Sequence, residues 1–403
     1  MTLGTMAVDY QIRIDYDKLR KDRLQNSRDQ MEKDGLGALL CYDPDNVRYV
    51  TSTKLGEWVN NKLGRYCLLP KGQEPILFEI GSAVRTTKAL SPWIKDVRPG
   101  KNDMRGTMPK GCGAAEASIK DIYDILKGFG LEKEPVGVDL MSIPMMEAFQ
   151  KFGMKIVDGQ NTMIDAQMIK TKEEIQLLEL SAAIVDGAYY DVFEAIKPGK
   201  RENEINALMR KRLYELGAEN VHNVNVISGD RAYPHPHDCT DRIIRPGDMV
   251  YLDVVSDFNG YKTCYYRTFV CGRPTDRQKR VYKQAYDWLK ASIDLAKPGA
   301  STADIVKCWP TYKEMGYDNE FETLALQLGH GIGISHWSKP VIGHQHSIKH
   351  PEILQVGMHL ALETYYAEGD DAARIEEQII ITEDGCKIIT KFPCEELFST
   401  WNY

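Results

Sequence analysis

Residues 250–269 read VYLDVVSDFNGYKTCYYRTF. Two runs rich in β-branched and aromatic residues flank Asn259-Gly260, a dipeptide that tolerates the positive φ angles of a two-residue hairpin turn. Folding back there brings Asp253 and Cys264 to one face of the hairpin. The pattern recurs in GMHLALETYY (357–366) and ARIEEQIIIT (373–382). There the turn Glu368-Gly369-Asp370-Asp371 sets Glu363 and Glu376 on neighbouring strands. His330 lies between the two hairpins, in LGHGIGISHW (328–337), where its flanking glycines permit close backbone approach. Carboxylates and an imidazole on apolar strands are costly to bury unless paired or bound to metal. Three or four such ligands around an open position make a hydrolytic metal site.

Outward from these strands the chain divides in two. Residues 1–160 alternate strands and helices. An amphipathic helix spans about 15–35, strands are expected at GALLCYD, NVRYVTS, RYCLLP, PILFEIG, PVGVDL and MKIVDG, and helices at about 115–127 and 144–152. This predicts a smaller α/β domain with a mixed sheet. Residues 161–403 open with a capping box, Thr171 with Glu174. Helices follow at about 172–196, 201–216, 275–297 and 301–315, with strand runs NVNVISG, MVYLDVVSDF, GYKTCYYRTFVCG, TLALQLGHG, MHLALETYY and RIEEQIIIT between and after them. Helices and antiparallel strands in separate groups predict an α+β domain.

Composition narrows the partners. The 403 residues carry a net charge of −7 with no basic cluster, which argues against nucleic acid and anionic membrane. No apolar run is long enough to span a bilayer, and the N-terminal stretch lacks a signal-peptide core. The nine scattered cysteines form no CxxC pair. That usage suits reduced thiols, so a cytoplasmic location is expected.

GHGIG, GMHLALE, RIEEQIIITEDG and the frame Asp253-x10-Cys264-x2-Arg267-Thr268-Phe269 resemble the pita-bread superfamily of methionine aminopeptidases, aminopeptidase P, prolidases and creatinase. The resemblance covers about 170–395, and the N-terminal domain is similar to the smaller domain of the creatinase and prolidase branch. It implies a pita-bread C-terminal domain in which Asp253, Cys264, His330, Glu363 and Glu376 occupy the metal-ligand positions of the metallopeptidase members. The second position is normally a bridging Asp, and here it is Cys264. A soft sulfur suits Zn²⁺ or iron better than Mn²⁺. Three arrangements stay open: one metal on Cys264, His330, Glu363 and Glu376; an altered pair of metals; or none, as in creatinase.

By the same resemblance a proton-transferring histidine falls 17 or 18 residues before the first Asp, which favours His235 over His237 in PHPHDCTDR. His336 resembles the second histidine of the family's HGxGxxxH pattern, a substrate contact, and Trp337 beside it can wall a pocket or stack on a cation. Arg267, Arg374 and Tyr366 are further candidates for the substrate side. Homodimers are common in the creatinase branch, and Trp58 would then reach the partner's substrate.

The expected activity is hydrolysis of a C–N bond in a small polar nitrogen-containing metabolite. His235 or His237 would transfer protons, Glu363 and Glu376 would orient water or bind a cationic group, and His330 and His336 would position the scissile group. The alternatives are a Xaa-Pro aminopeptidase or dipeptidase with an altered metal site, a C–S lyase and a non-catalytic binding module. CYDPDNVRYVTS, GRYCLLP, PILFEIG, ISGDRAYPHPHDCTDR and EEQIIITEDG also resemble the pita-bread lyases that cleave dimethylsulfoniopropionate. Ectoine hydrolases of the same fold are a further likeness.

Overall fold

The computed structural model describes residues 14–54, 63–101 and 108–401. The chain forms two compact units, residues 1–167 and 168–403. Trp58 lies outside the described residues.

The first unit runs α1 (Tyr16–Lys33), β1 (Ala38–Cys41), α2 (Pro44–Thr51), β2 (Tyr66–Pro70), β3 (Ile76–Glu79), α3 (Val84–Leu90), β4 (Asp96–Pro99), α4 (Ala114–Gly128), β5 (Val136–Val138), α5 (Ile143–Lys151), β6 (Ile156–Asp158) and α6 (Gln160–Met168). Its six strands form one mixed sheet in the order β4-β3-β2-β1-β5-β6. Leu40, Leu68 and Phe78 of the sheet pack against Ile119, Ile122 and Phe149 of α4 and α5. The segment NVRYVTS, expected as a strand, is the body of α2. Asp43 caps its start by accepting from the Asp45 amide, and Pro44 presets the first helical φ.

The second unit runs α7 (Lys172–Ala195), α8 (Glu202–Glu215), β7 (Asn220–Ser228), β8 (Met249–Phe258), β9 (Tyr261–Val270), α9 (Asp276–Leu295), α10 (Thr302–Val306), β10 (Leu328–Gly331), β11 (Ser338–Ile342), β12 (His359–Glu368), β13 (Asp371–Ile381), β14 (Cys386–Ile388) and β15 (Phe398–Ser399). The helix expected over 301–315 stops at Val306. The Cys308 and Trp309 amides bond back only three residues, and Pro310 disfavours a helical residue before it. The strand expected from 323 begins only at Leu328, because Glu320–Thr323 form a 3₁₀ turn.

Two sheets result, β15-β9-β8-β7 and β11-β10-β12-β13-β14. Alternation gives each two faces. Val250, Leu252 and Val254 of β8 pack with Tyr189 of α7 and Met209 of α8. Leu360, Leu362 and Ile375 of β12 and β13 pack with Val281, Ala285 and Leu289 of α9. Each large aliphatic side chain buried this way contributes about 1.5–3 kcal/mol. The faces turned away from the helices carry the polar residues.

Candidate metal centre

In the β8–β9 hairpin Asp253 lies opposite Tyr266 and Cys264 opposite Val255. Cys264 is therefore the diagonal, same-face neighbour of Asp253. In the β12–β13 hairpin Glu363 lies directly opposite Glu376, and Tyr365 opposite Arg374. Side chains stitch β9 to β13. Thr268 Oγ1 donates to the Arg374 carbonyl (2.6 Å) and accepts from its amide (2.9 Å), while Gln378 Nε2 donates to the Cys264 carbonyl (2.8 Å). These bonds bring Cys264 Sγ to 3.7 Å from both Asp253 Oδ1 and Glu376 Oε2.

His330 enters from β10, which pairs with β11 and β12. Its flanking glycines have no room for a side chain. A Cβ on Gly329 would stand 2.7 Å from Leu362, and one on Gly331 2.0 Å from the Lys339 carbonyl oxygen. His330 Nδ1 donates to the Gly331 carbonyl oxygen at 3.0 Å. Two groups of potential ligand atoms, each within 4.8 Å of one another, occur among the described residues: Asp253, Cys264 and Glu376, and Cys264, His330 and His336.

The electrostatics are those of acids crowded out of water. Burial pushes Asp253 up to about 6, against the hydrogen bond from Tyr266. Burial, then the charges of Glu363 and Asp253, hold Glu376 well above the usual carboxylate range. Burial, then Glu376 and Asp253, push the Cys264 thiol up. Burial also keeps the imidazoles neutral, lowering His330 and bringing His336 down to about 3. Glu376 Oε1 is buried without a hydrogen-bond partner among the described residues. A divalent cation reverses this logic, since it favours carboxylate, thiolate and neutral imidazole together. The residues therefore fit a metal, with one sulfur in a set otherwise of oxygen and nitrogen.

Arg374 is the buried counter-charge. It pairs with Glu363 Oε2, bonds the Ala325 carbonyl, lies 4.4 Å from the Tyr266 ring centroid, and donates from Nη1 to His235 Nε2 at 2.9 Å. His235 is buried at φ +92°, a strained conformation for a non-glycine residue, and stacks on Tyr251 with ring centroids 5.4 Å apart. His237 is exposed, its ring 4.6 Å from that of His235. Trp337 is exposed, with its ring 4.3 Å from His330.

Two residues expected on the substrate side stand elsewhere. Arg267 is on the opposite face of β9 from Cys264, with donors committed to Glu377 and to the Phe392 and Glu376 carbonyls. Tyr366 faces away from Glu363, edge-on to Trp288, and donates to Glu368. Asn225 was not expected, and its Nδ2 donates to Asp253 Oδ2 at 3.1 Å. The alternation Val224-Asn225-Val226 carried that signal, because it turns Asn225 away from the helix-packed face. His336 follows His330 by six residues, one fewer than HGxGxxxH requires, so Trp337 takes the seventh place.

Comparison with known proteins agrees with this architecture. Metallopeptidase family M24 matches residues 176–383, and the Creatinase/Prolidase N-terminal domain matches 23–169. A Xaa-Pro dipeptidase of Pyrococcus furiosus is 27% identical over 379 residues, covering 92% of this chain and 98% of that protein. Dimethylsulfoniopropionate lyase DddP of Roseobacter denitrificans is 24% identical over 400 residues, covering 93% and 86%. Among solved structures, a prolidase from Thermococcus sibiricus superposes with a TM-score of 0.78 at 22% identity, over 94% of this chain and 99% of that one. The fold and site define an enzyme of the creatinase and prolidase superfamily, with a pita-bread C-terminal domain and a creatinase-type N-terminal domain. The chain belongs to metallopeptidase family M24 and is a hydrolase of that superfamily.

Proposed function

We propose that the chain is a metal-dependent hydrolase of Xaa-Pro dipeptides or similarly small amides, with a cysteine in its metal centre. The observation that carries this reading is the cluster of Asp253, Cys264 and Glu376, with Glu376 Oε1 buried and unpartnered among the described residues. A cation is the simplest group to satisfy it. Between the two hydrolase readings, the relatives named Xaa-Pro dipeptidase favour the peptidase over hydrolysis of a small nitrogen-containing metabolite.

Asp253, Cys264, His330, Glu363 and Glu376 would hold the cation or cations, Zn²⁺ or iron before Mn²⁺ because of the sulfur. With a cation held there, the site would supply Lewis-acid polarisation of a scissile carbonyl and a water of lowered pKa near neutral pH. Arg374 fixes Glu363 through their ion pair and turns His235 by donating to its Nε2. An arginine only donates, so the His235 lone pair at Nε2 is occupied and Nδ1 carries the proton. Proton transfer to the leaving amine then falls to His237, exposed beside it. Trp337 offers the apolar wall for a prolyl ring.

One observation favours a C–S lyase instead, the exposed Trp337 indole, which also suits a sulfonium cation. The test uses the purified full chain. Its metal content is measured without added metal, and it is then assayed with Zn²⁺, Fe²⁺ or Mn²⁺ on Xaa-Pro dipeptides, creatine and dimethylsulfoniopropionate. Zinc- or iron-dependent dipeptide hydrolysis is expected. Release of dimethyl sulfide without dipeptide hydrolysis would replace this reading with the lyase.

A further inference from the structure

Cys264 belongs to both groups of potential ligand atoms, so its sulfur divides the centre into two unlike halves. One group joins it to the carboxylates of Asp253 and Glu376, and the other to the imidazoles of His330 and His336. We propose that Cys264, His330 and His336 form a soft cation site of one sulfur and two nitrogens, in which His336 is a metal ligand. The proposal rests on the metal-dependent reading above and assigns the inner sphere of one ion.

Three observations carry it. The ligand atoms of all three residues lie within 4.8 Å of one another. An ion bonded to sulfur at about 2.3 Å and to nitrogen at about 2.0–2.1 Å holds such atoms roughly 3.5 Å apart, a closure that side-chain rotation supplies. Second, His336 Nε2 is buried and has no hydrogen-bond partner among the described residues. Third, His336 stands one residue earlier than the HGxGxxxH spacing places a substrate-contacting histidine.

The backbone holds the imidazole there. The β10–β11 register shifts between His330 and Gly331, and the loop from Ile332 to Trp337 returns the chain to β11. Lys262, buried on β9, donates from Nζ to the Ile334 carbonyl, and its amide donates to the Gly333 carbonyl at 2.8 Å. The His330 and His336 rings meet edge to face, 5.7 Å between centroids. A donor set of one thiolate and two neutral imidazoles is the chemistry of zinc, with a carboxylate or water completing four-coordination.

The experiment loads the chelator-stripped full chain with Co²⁺, and separately with Zn²⁺ for X-ray absorption. One equivalent of Co²⁺ is expected to give a sulfur-to-cobalt charge-transfer band and intense four-coordinate ligand-field bands. Zn²⁺ in the wild-type protein is expected to show one sulfur and two imidazole ligands. Cys264→Ser is expected to abolish the charge-transfer band. His336→Ala and His336→Gln are expected to keep it but lose one imidazole. Their Zn²⁺ affinity should fall by at least the roughly 10–100-fold that loss of an outer partner costs. An imidazole count of one in the wild type overturns the proposal without needing any variant. So do His336 variants with unchanged cobalt spectra and zinc affinity. Dipeptide hydrolysis is measured in parallel, so a failed ligand assignment with intact turnover leaves the hydrolase reading standing. A correct assignment without turnover sinks only that reading.

Discussion

Asp253 occupies a position where ionisation without a cation is costly. Its pKa in the folded protein, about 6, lies above the unfolded value of about 3.9. A raised carboxylate favours folding fully below the unfolded value, and the metal-free protein loses that contribution as pH rises through about 6. The cost by pH 7 is on the order of 3 kcal/mol. Asp253→Asn retains a hydrogen-bonding partner for Asn225 and Tyr266 and removes the charge. In chelator, the variant is expected to match wild type near pH 4 and exceed its stability at pH 7 by up to that amount. Denaturant titrations across the range check it, and a variant less stable at pH 7 would count against the crowded-acid account. Cys264→Asp exchanges one soft donor for two hard ones. It is expected to raise Mn²⁺ retention after dialysis at least tenfold relative to Zn²⁺. An unchanged preference would mean that the sulfur does not touch the ion. These positions were legible because each polar residue interrupts an apolar strand. The orientation of His235 was not, because it depends on Arg374, 139 residues away.

Strand β10 is four residues long, yet it carries His330 and is hemmed in on both sides. Gly331→Ala would press its Cβ onto the Lys339 backbone at 2.0 Å, which no side-chain rotation relieves. The variant is expected to lose about 1–3 kcal/mol of stability and to bind metal more weakly, because His330 must move with the strand. Thermal melts with and without Zn²⁺ measure both effects, and a variant neutral in both would mean that β10 tolerates displacement. Loss of the α7 capping box gives a control remote in kind: Thr171→Ala should cost about 1 kcal/mol without altering metal affinity. The capping box, the Asn259-Gly260 turn and both hairpins were readable because they rest on local chemistry. In α2 a β-branched run suggested a strand, while Asp43 and Pro44 in front of it started a helix. In the segment after Val306, Pro310 ended a helix whose composition favoured continuing. Strands β4 and β11 escaped notice, since each is short and contains a proline, Pro99 and Pro340, which argues against a strand.

At the scale of the whole chain, a metal held at the proposed centre would join two hairpins that chain connectivity alone leaves far apart, since 112 residues separate Cys264 from Glu376. A ligand that binds only the folded state stabilises it by mass action, by about 2.7 kcal/mol at one hundred times its Kd. Zinc added to the stripped protein is therefore expected to raise the melting temperature, and chelator to reverse the gain. The gain should also have a location. Residues 249–270 and 359–381 carry four of the proposed ligands, Asp253, Cys264, Glu363 and Glu376, and their backbones are already bonded through Thr268 and Gln378. Hydrogen exchange read by mass spectrometry should show the largest metal-induced protection in these two hairpins. β7, which supplies no proposed ligand and reaches the centre through its ladder with β8 and the Asn225–Asp253 hydrogen bond, should gain less. A protection gain spread evenly over every strand would mean that zinc stabilises the chain without bridging the hairpins, and the shared centre would then have to be abandoned.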